Sequence, residues 1–263
     1  MSGAEGRKSI FITGAASGIG RETALLFAGR GWFVGAHDVN AAGLAALEKE
    51  IGAANGVFAT LDVTDVDAFG KVMAEFGAAT GGTLDLMFGN AGIGMGGLID
   101  EQPWEQALQI INVNLIGVLI GVRAAIPLLR ATPGSLNLIT SSSSAIFGTA
   151  GIGVYSATKH AVRGLTEALS IELKRFGVRA ADLLPGLIDT PLLSDRMRAM
   201  APAEGEWRLV KPLEVAETVW KAYSADVLHW YVPEELRAFH ARVVNEPEAV
   251  REERTALMAM MAE

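Results

Sequence analysis

The 263-residue chain contains no cysteine and only four histidines, His37, His160, His229 and His240, far apart in sequence. Without cysteine there is no disulfide framework, no thiol nucleophile and no thiolate metal site. The histidines show no ligand spacing, so no metal centre is expected. Basic residues are scarce as well: 22 lysines and arginines stand against 30 acidic residues, giving a net charge of −8, and no Lys/Arg block is hidden in that average. Nucleic acids and anionic membranes both select a basic face, so neither is expected as a partner. Long apolar runs are missing too. The polar stretch from Met1 to Ser9 leads into an apolar run that Thr13-Gly14 cuts too early for a secretory signal. Asn112, Asn114 and Arg123 interrupt the richest apolar stretch, 107–129, before it reaches the roughly 18 residues of a membrane span. A cytoplasmic protein is expected.

What the sequence does contain is apolar residues, half of the total, in two alternating patterns. Short β-rich runs at Ser9–Thr13, Trp32–His37, Val57–Leu61, Leu84–Phe88, Ser135–Thr140, Val178–Leu184 and His229–Val232 read as strands. Helical patterns near 19–30, 41–54, 65–79, 104–131, 154–175 and 212–225 lie between them. Several strands are apolar throughout, as in Ser-Ile-Phe-Ile-Thr, which suits a sheet covered on both faces. The alternation predicts a mostly parallel, doubly wound α/β sheet of seven strands in a single domain, 1–263, with right-handed crossovers. The core spans about 8–232, and a charged helical tail follows at 234–263. Helix 104–131 leaves almost no polar stripe, so both of its sides need cover. The same surface of a second subunit supplies that cover in a homodimer or homotetramer; the C-terminal tail is the alternative.

The first strand runs into Thr13-Gly14-Ala15-Ala16-Ser17-Gly18-Ile19-Gly20 and then a helix. Glycines at a first strand–helix junction permit a tight turn and close approach of main chain to a pyrophosphate at the helix N-terminus. The spacing is G-x-x-x-G-x-G. Asp38 ends the second strand, where a carboxylate would accept bonds from the adenosine ribose and repel a 2′-phosphate. No Lys or Arg follows it, so NAD is expected over NADP, although His37 lies beside it. In the plainer reading Asp38 only starts a turn.

Tyr155 and Lys159 stand four residues apart, on one helical face. A nearby ammonium would lower the phenol's pKa enough for it to exchange a proton with a substrate oxygen. Such a pair arises by chance in a chain of this composition about one time in twelve, so it proves little alone. Ser142, just past the fifth strand, offers a hydroxyl to the same oxygen, but four serines run from 141 to 144 and a polar turn accounts for them equally. Asn114 lies in the apolar helix, where an amide is costly unless bonded. It either caps a local kink or bridges through water to Lys159.

Together, Thr-Gly-Ala-Ala-Ser-Gly-Ile-Gly, Asp62-Val63, Gly89-Asn90-Ala91-Gly92, Asn114, the serine segment, Tyr-Ser-Ala-Thr-Lys and Pro185-Gly186 resemble the short-chain dehydrogenase/reductases, in their single-domain branch of about 250 residues. The resemblance runs from about 8 to 232 and implies a Rossmann-type fold and a nicotinamide cofactor. It implies that Tyr155 is the acid/base, that Lys159 binds the nicotinamide ribose, that Ser142 polarises the substrate oxygen and that Asn114 holds a relay water. Gly14, Ser17, Gly18, Ile19, Gly20, Asp38, Asp62, Val63, Asn90, Ala91, Gly92, Pro185, Gly186, Ile188 and Thr190 would line the cofactor. Two features depart from the pattern. Gly89 replaces a common asparagine, and the C-terminus lacks the glycine-rich ending of tetrameric members, which favours a dimer.

Ile93, Met95, Ile146, Phe147, Leu187, Ile188, Leu192 and Leu193 are expected near the substrate, with Met197 and Met200 in a lid at about 190–210. None is charged; Arg196 and Arg198 lie in the lid, where they could clamp an anion or simply face solvent. The expected function is oxidation of a neutral, hydrophobic secondary alcohol or reduction of the ketone. A catalytically silent dinucleotide-binding sensor or scaffold is the alternative. An epimerase or dehydratase would call for a larger C-terminal substrate region.

Overall fold

The computed structural model describes residue 4 and residues 6–262, so part of the polar Met1–Ser9 stretch lies outside the described residues. Seven strands form the sheet: β1 (Ser9–Thr13), β2 (Phe33–Asp38), β3 (Gly56–Thr60), β4 (Leu86–Gly89), β5 (Leu136–Thr140), β6 (Arg179–Pro185) and β7 (His229–Val232). Every pairing is parallel, in the order β3-β2-β1-β4-β5-β6-β7. Successive side chains of a strand point to opposite faces. Ile10 and Ile12 of β1 therefore enter one core, with Val34, Phe88 and Leu138, while Phe11 enters the other, with Met87 and Ile139.

The first core is closed by α1 (Gly18–Gly29), α2 (Ala41–Ile51) and, late in the chain, α8 (Pro212–Tyr223), through Phe27, Leu47 and Val219. The second is closed by α3 (Val66–Ala79), α5 (Gly117–Arg130) and α6 (Gly153–Glu172), through Phe69, Val118 and Val162, while α4 (Trp104–Ile111) packs against α6. Short α7 (Asp195–Met200) lies in the expected lid, and the tail folds as α9 (Leu236–Asn245) and α10 (Pro247–Ala262). The order of strands reverses between β1 and β4. Ligands of open α/β sheets bind beyond the strand carboxyl ends at such a switch point.

The expected helix 104–131 is not one α-helix. A π-helical turn, Asn112–Ile116, separates α4 from α5. The wider turn seats Asn114 inside, fully buried, where its carboxamide oxygen accepts from the Ile93 N–H at 2.8 Å and its nitrogen donates to the Ile93 carbonyl at 2.9 Å. By length and a mean hydropathy of 1.8, Trp104–Arg130 could cross a bilayer. Here it is part of the layer against the sheet, and Ala125 and Leu129 have no exposed surface. On its outer side Trp104 is 69% exposed and Leu108 and Ile116 each 40%. The C-terminal tail packs instead against Ile146, Leu184 and Trp207.

Candidate active site

The carboxyl ends of β1, β4, β5 and β6 converge on one crevice. After β1 the chain turns at Gly14 (φ +70°) and Gly18 (φ +53°), left-handed positions where a side chain would be strained. A Cβ on Gly20 would overlap the Gly14 carbonyl oxygen, so helix and turn meet only because that position is bare. Ser17 precedes α1 without a side-chain capping bond, which leaves its hydroxyl and the first amides of the helix to an anion. These features fit a dinucleotide pyrophosphate. Thr190, in the loop after β6, lies over Gly18, where an added Cβ would fall 2.8 Å from its methyl carbon.

The floor of this cradle is tied by side chains. Thr13 Oγ1 accepts from the amides of Asn90 and Ala91, each at 3.0 Å. The Asn90 nitrogen donates to the carbonyls of Thr13 and Gly14, and its oxygen accepts from the Thr140 hydroxyl at 3.2 Å. One amide thus links the ends of β1, β4 and β5. Asp38 accepts from the Ala16 amide at 3.0 Å with one oxygen and from the Asn40 amide at 2.9 Å with the other, which fastens β2 to the glycine turn. Its neighbour His37 is turned wholly inward and stacks on Phe11 at 4.1 Å, so no imidazole stands beside the carboxylate. Asp62 is exposed and accepts from the amide and hydroxyl of Thr64, while Val63 is buried against Gly117.

Ser142, Tyr155 and Lys159 come together on the β5 side. Ser142 lies near enough to the Tyr155 phenol to act on it and accepts from the Ser144 amide at 3.1 Å. Ser141 donates to the Lys159 carbonyl at 2.9 Å, so its hydroxyl is already engaged. The Lys159 ammonium is buried, donates to the Thr140 carbonyl at 2.9 Å and lies 5.6 Å from the Tyr155 ring centre. Gly92 lies beside it, with Asn114 close by. Burial pushes the Lys159 pKa down to about 8. Burial likewise raises that of Tyr155, which Ser142 draws back only in part. An acidified phenol was the expectation. In this structure burial acts on the phenol in the opposite direction, and the ammonium donates to the Thr140 carbonyl.

Several expected site residues are placed elsewhere. Ile188 is buried in the first core with Val210, and Ile146 packs with Leu184 and Tyr231, so neither side chain belongs to an open substrate wall. Arg198 is spent on its own loop, bonded to Asp189, Asp195 and the Thr190 carbonyl. It is therefore a brace for the lid and not a clamp for a substrate anion. Leu192 lies over Gly94 across the crevice, and Leu192, Met197 and Met200 are 40–52% exposed. Gly89 is not forced by space, since a Cβ there would meet nothing nearer than 3.8 Å. Behind it lies a void of about 10 Å³, lined in part by Thr13, Met87, Gly89 and Asn137. Both amide atoms of buried Asn137 lack a hydrogen-bond partner. No sequence signal marked that asparagine, which reads as one polar letter in a buried strand.

Residues 8–201 match the family described as short chain dehydrogenase. The chain belongs to that family. This short-chain dehydrogenase is 36% identical over 233 residues to the cyclohexanol dehydrogenase of Acinetobacter sp., covering 86% of its own length and 91% of the relative. Among solved structures, the 3-ketoacyl-(acyl-carrier-protein) reductase of Brucella melitensis, complexed with NADH, superposes with a TM-score of 0.77. The identity is 29%, and 86% of this chain and 96% of that one are covered. A short chain dehydrogenase/reductase of Burkholderia phymatum shares the fold at a TM-score of 0.83 and 24% identity, covering 92% and 95% of the two chains. The short-chain dehydrogenase is thus an oxidoreductase with a Rossmann-like, single-domain fold, and its relatives include dehydrogenases of small alcohols.

Proposed function

We propose that the protein is an NAD-dependent dehydrogenase that interconverts a neutral, hydrophobic secondary alcohol, cyclic in the first instance, and its ketone. The observation that carries this reading is the meeting of Ser142, Tyr155 and Lys159 in one crevice beside the glycine turn. The cofactor, when bound, supplies or takes the hydride. Gly14, Ser17, Gly18, Ile19 and Gly20 hold its pyrophosphate, and Asp38 and Asp62 its adenosine. Asn90, Ala91, Gly92, Pro185, Gly186, Thr190 and the main chain of Ile188 line the remainder. Asp38 favours NAD because a 2′-phosphate would meet its carboxylate and no cation is at hand. The similarity to a cyclohexanol dehydrogenase supports the cyclic substrate, as do the uncharged, half-exposed lid residues.

The phenol of Tyr155 gives its proton to a ketone oxygen, and Ser142 donates to the same oxygen. In the oxidation direction Tyr155 first has to lose that proton, which the buried ammonium of Lys159 favours when it swings from the Thr140 carbonyl towards the phenolate. The Asn114 side chain is fully engaged with Ile93, so a relay water would be held by its main-chain carbonyl. A homodimer built on the face of Trp104, Leu108 and Ile116 covers the outer side of α4 and α5, and a cytoplasmic setting suits exchange with a nicotinamide pool. The test is turnover of cyclohexanol with NAD and of cyclohexanone with NADH. Tyr155→Phe should lose about a thousandfold in both directions. Undiminished turnover in that variant would refute the role of Tyr155, and a preference for NADP would refute that of Asp38.

A further inference from the structure

The lid segment after β6 ends at Val210, which is buried in the first core and bridged to Ile188, and three residues earlier it meets an element outside that core. Trp207 follows α7 and packs edge-on against Phe239 of α9, with ring centres 5.1 Å apart. The Arg254 guanidinium of α10 lies 4.3 Å from the Trp207 ring centre and 5.1 Å from that of Phe239, so one cation serves both rings. The hairpin is itself fixed, because Val250 and Leu236 are fully buried in a cluster that contains Ile146 and Leu184. Leu236 also abuts Gly186, where the lid begins. The same hairpin reaches the serine segment by a polar route. The Tyr231 hydroxyl meets His240 at 2.6 Å, His240 meets Arg163 at 3.3 Å, and Arg163 donates to the Ala145 carbonyl at 3.3 Å.

The lid carries Leu192, Met197 and Met200 without burying them fully, whereas Trp207 is held by Phe239 and Arg254. We propose that the α9–α10 hairpin determines substrate size, with Arg254 as a positioning residue that pins Trp207 and so sets how far the lid closes over the crevice. This inference rests on the reading of the crevice as an alcohol site, but its central contact can be tested without turnover.

Arg254→Ala removes the cation from α10 without touching the proposed catalytic or cofactor residues. Trypsin cleavage after Arg196 and Arg198 in that variant should quicken about fivefold or more, at an unchanged melting temperature. Trp207→Leu should do the same, and the double variant should add little to either. With cyclohexanol, the KM should rise about fivefold while the KM for NAD stays within about twofold. For a bulkier bicyclic alcohol the KM should stay level or fall. Arg254→Met, which keeps the aliphatic stem, should lie between wild type and Arg254→Ala. Cleavage of Arg254→Ala at the wild-type rate would overturn the proposal, as would an equal loss on small and bulky alcohols. If no alcohol is turned over, only the functional reading fails, and the cleavage rates still decide whether Arg254 pins the lid.

Discussion

His37 should make the fold sensitive to mild acid. It has no exposed surface, stacks on Phe11, and is pushed by burial to a pKa of about 3. The carbonyls of Ile12 and Gly35 draw it back only in part, and neither ring nitrogen reaches a well-aligned hydrogen bond. In the unfolded chain the same imidazole titrates near 6.5. The folded value is the lower one, so protons bind the unfolded state preferentially. The stabilisation is fully present above 6.5 and is lost as the pH falls from 6.5 towards 3. At about 1.4 kcal/mol per pH unit, this one group removes about 2 kcal/mol between pH 7.5 and 5, and about 5 kcal/mol across the window. Urea unfolding followed by tryptophan fluorescence at both pH values, on wild type and His37→Phe, isolates the effect. Phenylalanine keeps the stack and cannot titrate. Its larger ring, close to Gly35 and Phe76, costs a pH-independent amount of about 1–3 kcal/mol. The wild type should lose about 2 kcal/mol more than the variant on acidification. Losses that agree within about 0.5 kcal/mol would show that His37 carries no such penalty.

Gly20→Ala should fold but bind NADH at least about tenfold more weakly in a fluorescence titration, because the new methyl displaces the Gly14 carbonyl. Asn114→Ala should cost about 2–4 kcal/mol in urea unfolding, since both main-chain groups of Ile93 lose their partner. Asn137→Leu should raise stability by about 1–2 kcal/mol, read as a higher melting temperature, because the amide it removes bonds nothing; a lower one would reveal a hidden partner. Alcohol oxidation should accelerate from pH 6 to 8 while ketone reduction does not, since burial keeps the Tyr155 proton in place at neutral pH. Parallel pH profiles would count against that phenol as the exchanging group.

Much of the fold was legible because its strongest signals are local. Seven apolar runs became seven strands, shifted at their ends by no more than two residues, and the glycine turn fell at the first strand–helix junction as expected. The π turn at Asn112–Ile116 was hidden because its cause is a contact with Ile93, in another segment of the chain. Asn114 was visible as a misfit, but not what it bonds. The mutual positions of Tyr155 and Lys159 followed from helical spacing, whereas the charge balance between them did not. Burial and the Thr140 carbonyl set that balance, and both belong to the tertiary structure. Apolar character alone does not tell which of the residues expected near the substrate line the crevice. Ile146 and Ile188 look like Leu192 in sequence, yet two pack inward and the third remains half exposed.

Asn90 and Thr13 bind three strand tips into a single stiff floor, while the rim above hangs from loops and a terminal hairpin. Stiffness and variability are thereby assigned to different stretches of the polypeptide. Replacements along the rim can accumulate, and the range of molecules accepted can drift, without disturbing the platform on which the dinucleotide rests.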